Sequence, residues 1–189
     1  MKSLEIIGFK RANLGKAESR QLRLDGNVPC VLYGGEDQIH FYVPTFLFRD
    51  LVYTPEVHVA KLNIEGDLYD AVLQEIQYHP VSEMILHADF LLLQDDKPVK
   101  LEIPVKLNGN APGVVKGGKL QLKLRTIKVK ALPKNLPDNI EVDISNLELG
   151  KSIKVGDVKV EGVEILNSPL VTIATVEIPR ALRGKKLDD

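Results

Sequence analysis

Six short apolar runs, each closed by glycine, proline or a polar turn, fill the first ninety-three residues, and this spacing is what most constrains the fold. They run from Leu4 to Phe9, Val28 to Tyr33, Ile39 to Val43, Val57 to Ile64, Tyr69 to Gln77 and Met84 to Leu93. Runs of this length and β-branched content read as strands. Only two helices fit between them: Lys16 to Leu24, ending at the capping Gly26, and Thr45 to Val52, started by Pro44. So many strands with so little helix describe a small mixed barrel and not a βαβ enzyme.

The polar, proline-containing segment Gln94 to Pro98 predicts a domain boundary. Beyond it, Val99 to Leu107 and Lys119 to Ala131 alternate apolar with charged residues, as half-buried antiparallel strands do. The alternation in the second run slips by one at Arg125-Thr126, which predicts a bulge. Ile140 to Ile144 and Leu170 to Ile178 add strands. The fold class predicted is therefore mainly β: an N-terminal six-stranded β-barrel with two or three short helices, plus a C-terminal all-β domain. The expected divisions are residues 1–93, a linker at 94–98, a second domain at 99–179 and a charged, frayed tail at 180–189.

Composition narrows the function classes. With 44% hydrophobic and 27% charged residues the chain is globular in character, and no apolar run approaches the ~20 residues of a membrane span. The first residues lack an apolar core followed by a cleavage site, so a cytoplasmic location is expected. The single cysteine, Cys30, lies in the apolar Val28-Pro29-Cys30-Val31-Leu32 and reads as a buried structural thiol. Net charge is −1, but its distribution is uneven: residues 1–93 carry 8 Lys or Arg against 13 Asp or Glu, and residues 94–189 carry 17 against 13. Within the acidic half, Lys10, Arg11, Lys16, Arg20 and Arg23 cluster with only Glu18 opposing them. That makes a basic patch on an acidic body.

Two polar residues break the apolar run from Met84 to Leu93: His87 and Asp89. In a strand they share a face, while Leu86, Ala88, Phe90 and Leu92 take the other. A hydrolase or transferase could use such a pair, yet no serine stands in a G-x-S-x-G turn, and side-by-side placement does not set an acid behind the imidazole. His40, His58, His79 and His87 show no metal-ligand spacing, so no metal site is expected. Gly113 to Lys119 matches a phosphate-binding loop until Leu120 replaces its hydroxyl residue, and strands rather than a helix flank it.

Nucleic acid suits the pattern better. If Lys16 to Leu24 is helical, Lys16, Ser19, Arg20 and Arg23 fall at i, i+3, i+4 and i+7 and share one face, a stripe that can meet several phosphates. A solvated helix face is the bland alternative. Tyr33 adds an aromatic donor before two glycines. A carboxylate repels phosphate, so on an RNA surface Asp89 would accept from base amino groups or hold His87 in one tautomer.

These residues carry a resemblance. Lys10-Arg11, Gly15 to Arg23, Val28 to Gly35 and Leu86-His87-Ala88-Asp89-Phe90, followed by Ile103-Pro104-Val105, Ala111 to Val114 and Leu136 to Asp143, stand in order along nearly the whole chain. Together they resemble the bacterial large-subunit ribosomal protein family that binds 5S ribosomal RNA, in its two-domain form called general stress protein Ctc. The resemblance implies that the first domain packs on the loop E region of 5S RNA through Lys10, Arg11, Lys16, Ser19, Arg20, Arg23, Tyr33, Gln74, His87 and Asp89. It implies neighbouring large-subunit RNA and ribosomal proteins as further partners. It implies no catalytic residue, cofactor, metal, membrane, small-molecule substrate or obligate homo-oligomer. Gln21 departs from the family by standing where some members carry a basic residue. Two alternatives stand beside this reading: a small hydrolase or transferase that uses His87 and Asp89, and a stress-associated adaptor that docks through the second domain alone.

Overall fold

The computed structural model describes residues 2–54 and 56–179, so the charged tail expected at 180–189 lies outside the described residues. The chain divides into two compact units, Met1–Val99 and Lys100–Asp189.

In the first unit six strands close into a barrel in the order β1-β3-β2-β6-β5-β4. These are β1 (Lys2–Lys10), β2 (Asn27–Tyr33), β3 (Ile39–Pro44), β4 (His58–Ile64), β5 (Asp67–Tyr78) and β6 (Ile85–Leu92). Closure rests on two parallel pairings, β1 with β4 and β2 with β6, and the remaining neighbours are antiparallel. Helix α1 (Lys16–Leu24) lies between β1 and β2 and ends at Gly26, whose φ is +77°. The expected helix from Thr45 to Val52 is instead a 3-10 turn, Thr45–Phe48, running into the single turn α2 (Arg49–Val52).

Alternation along the strands sends Ile6, Val28, Cys30, Leu32, Phe41, Val43, Leu62, Ile64, Ala88 and Phe90 inward, where they pack with Phe48. Phe90 is the hub, with ring centroids 5.8 Å from Phe41 and 6.2 Å from Phe48. Burying three phenyl side chains supplies much of what a barrel of this size needs, at about 25 cal/mol per Å² of apolar surface removed from water.

Two bulges interrupt the ladder between β5 and β6. Pairing passes from Leu73↔Phe90 to Glu75↔Asp89, leaving Gln74 as an extra residue in β5, and from Gln77↔His87 to Tyr78↔Ile85, leaving Leu86 extra in β6. The second bulge corrects the simple alternation: Ile85, not Leu86, joins the buried core.

The second unit is two small sheets. One has the order β10-β7-β9-β12, from β7 (Val99–Asn108), β9 (Thr126–Ala131), β10 (Ile140–Asp143) and β12 (Val163–Ile165). The other is β11-β13-β8, from β8 (Lys119–Leu122), β11 (Ser152–Lys154) and β13 (Thr172–Glu177). Ala111, Ile144, Leu147 and Val176 form a core against which Leu107, Leu120, Leu149 and Ile153 pack. The run from Lys119 to Ala131 is therefore not one bulged strand. Its phase slip marks a crossing: Lys123 and Leu124 donate backbone bonds to Ile173, Arg125 accepts one from Val105, and the chain passes from one sheet to the other.

The glycine-rich stretch begins inside the short α3 (Pro112–Val115), which contains Gly113, so the helix lies ahead of Gly117 and Gly118 and the strand β8 follows them. A Cβ on Gly118 would come within 2.3 Å of Val176 and 2.6 Å of the Gly113 carbonyl. Close packing, not phosphate binding, accounts for that glycine.

Candidate nucleic-acid interface

The outer face of the barrel is ordered by register. Arg11, just past β1, donates its backbone N–H to the His40 carbonyl. His40 pairs with Val31, Val31 with Asp89, and Asp89 with Glu75, so one row crosses from β1 through β3, β2 and β6 to β5. Val31 and Asp89 alternate with the buried Cys30, Leu32, Ala88 and Phe90 and so project outward.

In the next row, His87 lies beside Asp89 on that face. Nδ1 of His87 is 2.7 Å from Oδ1 of Asp89, with both side chains about 30% exposed (28% and 31%). In the neutral imidazole, a proton on Nδ1 is donated to the carboxylate and Nε2 is left as the acceptor. This orientation corrects the sequence expectation, because the acid does sit behind the imidazole. A nucleophile at Nε2 is what a relay would still need, and among the described residues the Nε2 atom has no such partner. Cys30 does not serve, being fully buried with its thiol pushed far above the usual range, first by burial and then by the Asp89 charge.

Tyr33 stands on β2 opposite Leu91. Its phenol is held protonated to higher pH than usual by partial burial, then by the nearby carboxylates of Asp89 and Glu75. It is therefore a hydrogen-bond donor at neutral pH. Gly34 follows it at φ +98°, where a Cβ would lie 2.7 Å from the Leu91 side chain. Gln74, the bulged residue of β5, comes next to Asp89 across the ladder. Glu75 was not singled out by sequence reasoning, and nothing short of the register could have placed it there.

Helix α1 buries no side chain completely. Polar ties hold it instead: Arg23 Nε donates to the Leu86 carbonyl at 2.9 Å, and Arg11 Nη2 donates to Ser19 Oγ at 3.0 Å. The first tie uses the carbonyl of the β6 bulge and so sets the end of α1 beside His87. Lys16 and Arg20 are exposed, and neither has a hydrogen bond or ion pair among the described residues. Gln21, the departure from the family pattern, donates to Asp25 one turn on, at 3.0 Å.

Lys10 goes elsewhere. Its ammonium meets Asp67 at 3.2 Å, which raises the lysine pKa, and its backbone N–H donates to Glu65. The structure thus gathers Arg11, Ser19, Arg23, Tyr33, Gln74, His87 and Asp89 with the stripe of Lys16 and Arg20, and turns Lys10 toward the β4–β5 turn. Two of the four histidines serve local turns: His79 Nδ1 accepts from Val81 and Ser82, and His58 Nδ1 meets the Glu56 carbonyl. Among the described residues no three His, Cys, Asp or Glu side chains are placed to share a metal ion, and no helix is long and apolar enough to cross a membrane.

A closed barrel that gathers unpaired cations, a phenol and a fixed imidazole–carboxylate pair on one outer face has the makings of a noncatalytic ribonucleoprotein component. The profile of the Ribosomal L25p family matches residues 6–90, and that of Ribosomal protein TL5, C-terminal domain, matches residues 98–180. The large ribosomal subunit protein bL25 of Cytophaga hutchinsonii is 60% identical over 186 residues, covering 98% of this chain and 97% of that one. Its namesake from Amoebophilus asiaticus is 52% identical over 184 residues (97% and 94% covered), and that from Phocaeicola vulgatus 46% over 191 residues (97% and 96%). The chain belongs to the bL25 family of large ribosomal subunit proteins, and it is not an enzyme.

Proposed function

We propose that the first unit, residues 1–93, binds 5S ribosomal RNA at its loop E region, and that the second, 99–179, reaches neighbouring large-subunit RNA or protein across the link at 94–98. The observation that carries this reading is the tie of α1 to β6 by Arg23 at the Leu86 carbonyl, beside the His87–Asp89 pair, while Lys16 and Arg20 on the same helix are exposed and without a partner among the described residues. Cations can neutralise phosphates along one strand while the donor and acceptor on the barrel meet base edges or sugar hydroxyls that a noncanonical RNA helix exposes. Lys10, whose ammonium meets Asp67, would have to release that carboxylate before it could join the contacts. Tyr33 and Gln74 supply polar contacts on either side of Asp89.

Filter binding of full-length protein to 5S RNA across a salt series tests this. Lys16→Gln and Arg20→Gln should each flatten the log–log salt slope by about one unit. His87→Ala and Asp89→Asn should leave the slope in place and reduce the preference for 5S RNA over a plain RNA duplex. Tight, salt-dependent binding that survives joint removal of Arg11, Arg20, His87 and Asp89 would sink the proposed surface.

A further inference from the structure

Ser19 lies on α1 between Lys16 and Arg20, where a hydroxyl facing phosphates would be expected to donate to them. Its one hydroxyl hydrogen is already committed. Oγ donates to the Gly15 carbonyl at 2.8 Å and accepts from Arg11 Nη2 at 3.0 Å. Phosphate oxygens only accept, so Ser19 could meet one only by releasing Gly15, whose carbonyl also takes the Ser19 backbone N–H at 3.1 Å.

Arg11 is the other half of the link. Its backbone is anchored to His40, and its Nε is shut from solvent without a hydrogen-bond partner. An enclosed, unpaired N–H disfavours that pose, and an arginine side chain freed from it gains several rotamers. Ser19 Oγ is the side-chain group seen to hold the guanidinium there. Helix α1 fixes Ser19 in turn, because the residue lies in the body of the helix and bonds back to its start.

We infer that Ser19 is a positioning residue: it makes no RNA contact of its own and holds Arg11 in the pose from which the guanidinium meets RNA. This rests on the reading of the barrel face as an RNA surface. The order of dependence runs from Gly15 to Ser19 to Arg11. The polar stripe on α1 therefore divides in two, with Lys16 and Arg20 exposed and Ser19 and Arg23 bonded back toward the barrel.

The test is a double-mutant cycle read by filter binding of 5S RNA transcribed in vitro, with wild-type full-length protein, S19A, S19T, R11Q and S19A/R11Q, each across a salt series. S19A is expected to weaken binding roughly tenfold, the scale of one lost charge-assisted contact, and to flatten the salt slope toward that of R11Q. The double variant should bind like R11Q alone, and S19T, which keeps the hydroxyl, should restore both affinity and slope. If the S19A and R11Q losses multiply, or S19A weakens binding at unchanged slope, Ser19 contacts RNA directly and the inference is overturned. If wild-type protein shows no preference for 5S RNA, the reading of the whole surface falls, and the inference falls with it. A binding wild type with an additive cycle overturns the inference alone.

Discussion

The two units handle charge and aromaticity in opposite ways. All five phenylalanines, five tyrosines and four histidines of the chain lie in the first unit, although it is the more acidic one, and residues 94–189 contain none. The second unit has more lysines, and carboxylates meet four of them: across strands Lys128 with Glu102 at 3.4 Å, Lys130 with Glu164 at 3.3 Å and Lys123 with Glu177 at 4.0 Å, and within a turn Lys151 with Glu148 at 3.0 Å. A surplus of lysine does not by itself make a nucleic-acid surface. What matters is which cations lack partners and whether donors able to read bases share their surface; Lys16 and Arg20 have no partner among the described residues, and Arg23 ties their helix to β6 beside His87.

The comparison can be broken most forcefully in the cores. Phe90→Ala should remove about 3–5 kcal/mol from the barrel, because Phe90 is fully buried between Phe41 and Phe48. Hydrogen exchange should then show protection lost in β1 to β6 and kept in β7 to β13. Loss in both units would mean that they fold as one.

The next test compares free with paired cations. Replacing Lys16 and Arg20 together by glutamine should lower the salt slope of 5S RNA binding by about two units, whereas Lys128→Gln with Lys130→Gln should leave it unchanged. An equal loss from the paired lysines would erase the distinction between the units.

Their pH responses should also diverge. In the first unit the shifted groups move upward: Lys10 through Asp67, Tyr33 and Tyr78 through burial, and Cys30 through burial. The Lys10 contribution is complete below its unfolded pKa and fades as pH rises through the raised folded value, while burial of the tyrosines and the thiol penalises ionisation above about pH 9–10. In the second unit Asp143 is lowered by Ser145 and Glu148 by Lys151. Their contribution is present above about pH 4 and disappears as pH falls through the depressed values. Methyl NMR should therefore show the second unit loosening first in acid and the first unit loosening first in alkali.

The smallest effect is expected from the exposed ladder itself. Glu102→Gln should shift thermal stability by less than about 1 kcal/mol, since both it and Lys128 are well solvated. A larger loss by calorimetry would show the second unit's charges to be structural rather than merely neutralised.

Strand positions in the barrel were legible because a period of two residues is a local property, and the Lys16–Leu24 helix because its basic and apolar spacing and its glycine stop are local too. The bulges at Gln74 and Leu86 were not, since an unpaired residue is defined by the partner strand. Nor was the passage of residues 119–131 between two sheets, where the phase slip alone fits a bulge equally well. The short strands β11 and β12, of three residues each, carry too little pattern to stand out.

Residue type and spacing along the chain were enough for the strand faces away from the bulges, the presence of His87 and Asp89 on one strand face and the family resemblance. Folding in three dimensions settled that the barrel closes through two parallel pairings, that Lys10 turns to Asp67 while Lys16 and Arg20 find no partner among the described residues, that the carboxylate meets Nδ1, and that Ser19 bonds Arg11. Each of those depends on side chains brought within about 3 Å by strand register and helix docking, where a single residue of slip changes every partner.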